Sequence, residues 1–230
     1  LIINGQFRLL THTFMIQKTT FYRRFISRLV VVVVVLFTTL SSFQASATHS
    51  SGADLQYTWV SGNTFKVTVS FYRDCEGVAA PATITLNAKS TSCSRNQNYT
   101  LNLEAGTGQE ITFPCRTVVT KCTSSGSVNA GYQRYVYSNN VTLPQQCTDW
   151  VMSFFVCCRN CAITTLNNPC ADNMYIEATL NNVLAPHNNS AQFTNIPVAL
   201  ICVNQSFTYN HGVFDPDGNS LVYSFITLKK

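Results

Sequence analysis

The sequence predicts an all-β chain: an antiparallel β-sandwich, rich in disulfides, followed by the start of a second sandwich. Three observations lead there. Short apolar–polar alternations recur between clusters of Gly, Asn, Pro and Ser, as half-buried strands require. No long amphipathic helical pattern is present. All ten cysteines lie between Cys75 and Cys202, downstream of an export leader.

The leader comes first. Residues 1–14 precede Met15 and read as upstream read-through. From Met15 the chain carries basic residues (Lys18, Arg23, Arg24, Arg28), an apolar run from Leu29 to Phe37, and Ala45-Ser46-Ala47. These are the three parts of a secretory signal peptide over residues 15–47, with cleavage expected after Ala47. Thr38, Thr39, Ser41 and Ser42 interrupt the run well before the roughly 20 apolar residues that a membrane span needs. The expectation is a secreted or cell-surface chain with no stable membrane span after cleavage.

Residues 48–187 are expected to form the sandwich. Asp54 to Val60 places Leu55, Tyr57 and Trp59 on one side, and Ser61-Gly62-Asn63 signals a hairpin. Thr64 to Tyr72 then puts Phe65, Val67, Val69 and Phe71 on one face. Two strands with one apolar face each need a partner sheet. Ala82–Ala88, Tyr99–Leu103, Glu110–Phe113, Tyr132–Tyr137, Trp150–Cys157 and Met174–Leu180 can supply it, at the spacing of an Ig-like sandwich. Residues 188–230 open with a polar connector and continue with strand-like runs at Val198–Val203, Ser206–Tyr209 and Leu221–Leu228. About 35 residues cannot enclose a core, so this part is expected to be the incomplete start of a second Ig/cadherin-like domain.

Charge argues against a phosphate-rich partner. The formal net charge is +5, but Arg8, Lys18, Arg23, Arg24 and Arg28 all precede Thr48 and every acidic residue follows it. The exported part is therefore neutral, and no nucleic-acid partner is expected. Catalytic patterns are scarce: there is no H-E-x-x-H and no G-x-S-x-G, and Asp74 and Glu76 around Cys75 read as a solvated turn. No enzymatic activity is expected. Four Asn-x-Ser/Thr sequences, beginning at Asn98, Asn140, Asn188 and Asn204, reflect an Asn- and Thr-rich surface.

In an exported chain an even cysteine count implies disulfides. The candidates are Cys75, Cys93, Cys115, Cys122, Cys147, Cys157, Cys158, Cys161, Cys170 and Cys202, with pairing left open. Cys158-x-x-Cys161 has zinc-knuckle spacing. Strand alternation across Trp150–Cys158 would instead turn Cys157 and Cys158 to opposite faces, toward two different partners. A bond between these two neighbours is the least expected arrangement. Asp215-Pro216-Asp217-Gly218-Asn219 offers hard oxygens at Asp215, Asp217 and Asn219, which suit calcium, although the same residues also make an ordinary turn.

Three blocks carry a resemblance: Tyr72-Arg73-Asp74-Cys75, Cys157-Cys158-Arg159-Asn160 and Asp215-Pro216-Asp217-Gly218. In this order the chain resembles the N-terminal region of large secreted Bacteroidota surface proteins. These carry PKD or other Ig-like repeats, are often labelled gliding-motility-associated, and commonly end in a type IX secretion sorting domain. The resemblance implies a non-catalytic extracellular module with a scaffold or adhesion role, whose partner is an extracellular protein or a glycan. The alternative is an accessory or carbohydrate-binding domain of a secreted hydrolase, using exposed aromatics such as Trp59, Tyr72 or Trp150.

Overall fold

In the computed structural model, residues 28–31, 50–111, 119–161, 163–197, 204, 206–227 and 229 are described. Ala47, Cys115, Cys202 and the expected strand at 198–203 lie outside the described residues. The chain divides into two compact units, Leu1–Ala45 and Ser46–Lys230. In the first, residues 28–31 form a turn of helix at the start of the apolar run.

The second unit is all-β. Its strands are β1 (Ser50–Ser61), β2 (Thr64–Asp74), β3 (Thr83–Ser90), β4 (Arg95–Leu103), β5 (Gln109–Glu110), β6 (Tyr132–Thr142), β7 (Trp150–Val156) and β8 (Met174–Leu180). They run in the order β1-β2-β6-β4-β3-β7-β8, with β5 on the flank of β6, and every pairing is antiparallel. β4 meets β6 at only two residue pairs, Asn102 with Ser138 and Leu103 with Tyr137. At that corner the sheet passes from one layer, β1-β2-β6, to the other, β4-β3-β7-β8.

Alternation decides what lies between the layers. Phe65, Val67, Val69 and Phe71 all face inward from β2, as the pattern predicts, and they meet Leu86, Ala88, Trp150, Met152 and Phe154 from the opposite layer. Phe71 and Phe154 meet edge to face with ring centroids 6.4 Å apart, a favoured aromatic geometry. Polar tips of core aromatics find carbonyls: Tyr57 Oη donates to Thr179 O at 2.9 Å and Tyr137 Oη to Pro81 O at 2.8 Å. Burial pushes the Tyr137 phenol up to about 12.

Several strands exceed their predicted lengths, and the additions are mostly polar. β4 begins at Arg95 rather than Tyr99 because β3 supplies a ladder, Ser90 opposite Arg95. β6 continues past Tyr137 through Ser138, Asn139 and Asn140 because β2 pairs with it to its end. A neighbouring backbone makes these residues strand where their side chains do not.

Beyond β8 the expected strands at 206–209 and, over its described residues 221–227, at 221–228 are corrected. Among the described residues of this region the ladder is confined to β9 (Gln192–Phe193) and β10 (Val213–Phe214). Ser206–Tyr209 and 221–227 have no strand partner, and Val222 and Phe225 stand almost fully exposed. A strand without a ladder or a covered face has nothing to hold it.

Candidate functional site

The eight described cysteines form four disulfides: Cys75–Cys122, Cys93–Cys147, Cys157–Cys158 and Cys161–Cys170. The Cys157–Cys158 bond is the arrangement least expected, and it corrects the expectation that the two would reach different partners. β7 ends at Val156, before the pair, and Cys158 takes a left-handed backbone with φ of 75°. Strand alternation therefore does not reach the pair, and the two sulfurs bond to each other instead of tying β7 to two distant partners. The cluster is held to the rest of the sandwich by hydrogen bonds. Ser50 N and Oγ each donate to Cys158 O at 3.3 Å, and Asn160 N donates back to Ser50 O at 3.3 Å.

Asp74 is a second correction. Expected in a solvated turn, it is buried at the end of β2. Asn160 Nδ2 donates to its Oδ2 at 2.6 Å, and the Glu76 amide donates to its Oδ1 at 3.0 Å. The Tyr72–Cys75 and Cys157–Asn160 blocks, 86 residues apart at this contact, thus meet directly. Arg73 braces the same loop, donating to the carbonyls of Gly77 and Val78 and to Gln133 Oε1 at 2.8 Å. Glu76 is paired with Lys121 at 2.5 Å. Cys75–Cys122 closes the loop, and Gly131 lets it approach: a Cβ there would sit 2.5 Å from Cys122 Sγ.

Beside this junction lies a pocket of about 510 Å³, within the ~300–1,000 Å³ range of small-molecule sites. It sits over the outer face of the start of β1 and the end of β2. The segment carrying Phe193, Tyr209 and His211 forms another wall. Asp54 and Tyr72 line it, Tyr72 Oη donating to Asp54 Oδ2 at 2.9 Å. Asp54 Oδ1 is sealed from solvent without a hydrogen-bond partner, and so is Arg134 Nε nearby. Burial raises the Asp54 carboxyl above its ordinary value, against the Tyr72 hydrogen bond and the nearby Ser70 hydroxyl and Arg134 charge. Burial and the adjacent Asp54 likewise push the Tyr72 phenol upward. Tyr209 and His211 meet edge to face at 5.1 Å.

Of the three aromatics singled out by sequence, Tyr72 alone lines this pocket. Trp150 is fully enclosed in the core, with Nε1 donating to Gln145 O at 3.3 Å, so it is not a surface platform. Trp59 packs on His187 with ring centroids 4.2 Å apart, and its Nε1 donates to Gly62 O at 3.0 Å. Asp54 passed unnoticed in the sequence. Its only signal there is a charge inside an alternating strand, on the side away from Leu55 and Tyr57.

A second cavity, about 610 Å³, is lined chiefly by apolar side chains, among them Phe71, Ile84, Phe154 and Phe155. It offers no charged group.

In the acidic turn, Asp215 Oδ1 accepts from Asp217 N at 2.8 Å, and both Asp217 oxygens accept from Asn189, N and Nδ2, at 2.7 Å. These bonds hold the Asp217 carboxyl below its ordinary value. Asn219 reaches Asp215 Oδ1 at 3.4 Å. Asn189 Oδ1 also accepts from Trp59 N at 2.8 Å, so the turn is fastened through Asn189 to β1. A calcium ion using this turn would have to take Asp217 from Asn189. Among the described residues no group of three His, Cys, Asp or Glu is arranged to hold a metal, and no helix is long and apolar enough to cross a membrane.

Comparison of the chain with known protein families, with curated proteins and with solved structures finds no match in any of the three.

Proposed function

We propose that the chain is a non-catalytic β-sandwich module of an exported bacterial surface or secreted protein, with a scaffold or adhesion role. The observation that carries this reading is the covalent architecture. Every described cysteine is in a disulfide, and two of the bonds close loops of 47 and 54 residues around the sandwich. Such bonds form and persist in oxidising compartments. The leader, the neutral exported part and the three sequence blocks point the same way. Polar residues at the Asp74 junction are spent on one another and on backbone groups, as suits a rigid presenting surface.

The test is expression with the native leader, followed by fractionation, protease treatment of intact cells and thiol labelling of the denatured, unreduced protein. The expected result is a chain cleaved after Ala47, accessible to protease and without reactive thiols. A cytosolic chain with labelled cysteines would overturn the proposal. Recognition of a ligand by the module is the second reading, favoured by the Asp54 pocket.

A further inference from the structure

We propose that the pocket over β1 and β2 is a carbohydrate site, taking a neutral sugar through the Asp54 carboxylate and the surrounding aromatic rings. The inference deepens the recognition role above by naming its ligand class.

The chemistry of the walls selects the ligand. Phe193, Tyr209 and His211 bring flat, partly apolar rings to one side of a pocket whose floor is the Tyr72–Asp54 hydrogen bond. Rings of this kind cover the C–H faces of a pyranose, while its hydroxyls need acceptors at the edge. Asp54 supplies the acceptor. Oδ2 is engaged by Tyr72, whereas Oδ1 has no partner, and a buried acceptor left unpaired is unfavourable. The terminal torsion of an Asp side chain is broad and roughly two-fold. A small rotation within that broad torsion, with one oxygen kept on Tyr72, turns the sealed oxygen toward the pocket and an arriving hydroxyl.

An organic cation is the competing ligand for a carboxylate among aromatic rings, and the charge around Asp54 disfavours it. Arg134 already acts on Asp54 electrostatically, and its Nη2 donates to Ser70 Oγ at 3.0 Å on the adjoining strand. Its charge partly offsets the field that would attract a cation. A neutral polyol needs an acceptor rather than a net charge, and loses nothing to Arg134.

The experiment uses the exported, disulfide-bonded chain with tetrasaccharides of glucose, N-acetylglucosamine and mannose, and butylammonium as the cationic probe. Saturation-transfer NMR and calorimetry report binding. We expect saturable binding of at least one tetrasaccharide, with saturation transferred to its ring protons, and none of butylammonium. Asp54→Asn should weaken it about ten-fold or more, the scale of one charge-assisted hydrogen bond. Gly52→Val should abolish it by bulk. A Cβ at Gly52 meets only the Tyr72 ring edge at 3.6 Å, so the fold tolerates the change while the added methyls enter the pocket. Unchanged melting of Gly52→Val verifies that binding, not folding, was altered. Absence of binding to all three sugars, binding of butylammonium instead, or sugar binding retained in both variants would each overturn the proposal. None of these outcomes bears on export, which the fractionation experiment decides alone.

Discussion

The four disulfides differ in what they close, and that difference predicts how much each stabilises the sandwich. Cys93–Cys147 spans 54 residues. Loop-closure entropy for that length gives about 4 kcal/mol at 25 °C. Cys75–Cys122 overlaps it and shortens the covalent path by about ten residues, which matters little because the dependence is logarithmic. Cys161–Cys170, spanning 9 residues, gives about 2.5 kcal/mol by the same relation. Cys157–Cys158 joins neighbours and closes essentially no loop. Replacing Cys93 and Cys147 together with Ala should therefore cost about 4 kcal/mol, with up to about 1 kcal/mol more for the sulfur removed at Cys147, which is buried in the core. Replacing Cys157 and Cys158 with Ala should cost under about 1 kcal/mol. Urea unfolding of the two double variants, compared by extrapolated free energy, measures this. At an m-value of about 2 kcal/mol/M the first variant unfolds about 2 M earlier. Equal losses in both variants would refute the reasoning, since they would place the value of the Cys157–Cys158 ring in the folded state rather than in loop closure.

Three further outcomes follow. Phe65 is fully buried between the layers, so Phe65→Ala should cost about 3–5 kcal/mol in the same urea assay. Asp54 should make stability depend on pH in the unusual direction for a carboxyl. Its folded-state value is raised, so the folded chain keeps the proton longer than the unfolded chain, and stability falls as pH rises through that value. Asp54→Asn should raise the melting temperature at pH 7 and leave it nearly unchanged near pH 3, with Tyr72, Arg134 and His211 still in place around it; a loss at pH 7 would contradict this. Asn189→Ala removes the acceptor of the Trp59 amide and the Nδ2 donor to Asp217, leaving only the backbone N–H at 189 on that carboxylate, so hydrogen exchange at Trp59 should accelerate while Val67 and Val69 in the core stay protected.

Strand existence was largely legible in the sequence because alternation is a local property. Phe65, Val67, Val69 and Phe71 announce a buried face whatever they pack against, and all four are buried in the structure. Strand length was less legible. Arg95 to Asn98 and Ser138 to Asn140 are strand only because β3 and β2 lie alongside. The Asp54 pocket was least legible. Asp54 and Tyr72 meet through the β1–β2 register, whereas Phe193, Tyr209 and His211 come from a segment more than a hundred residues further on.

By itself the sequence determined the all-β class, the balance of charge after residue 47 and, for the eight described cysteines, the commitment to disulfides, since each depends on composition or on neighbours along the chain. Tertiary structure alone decided which cysteines pair, that Asp74 is buried against Asn160, and that an unpaired carboxylate oxygen lies beneath an aromatic pocket. The physical reason is range. Alternation and charge are read within a few residues, but pairing, desolvation and pocket walls depend on which distant strands pack together. At Cys157 and Cys158 even the local rule failed, because β7 ends one residue before it could apply.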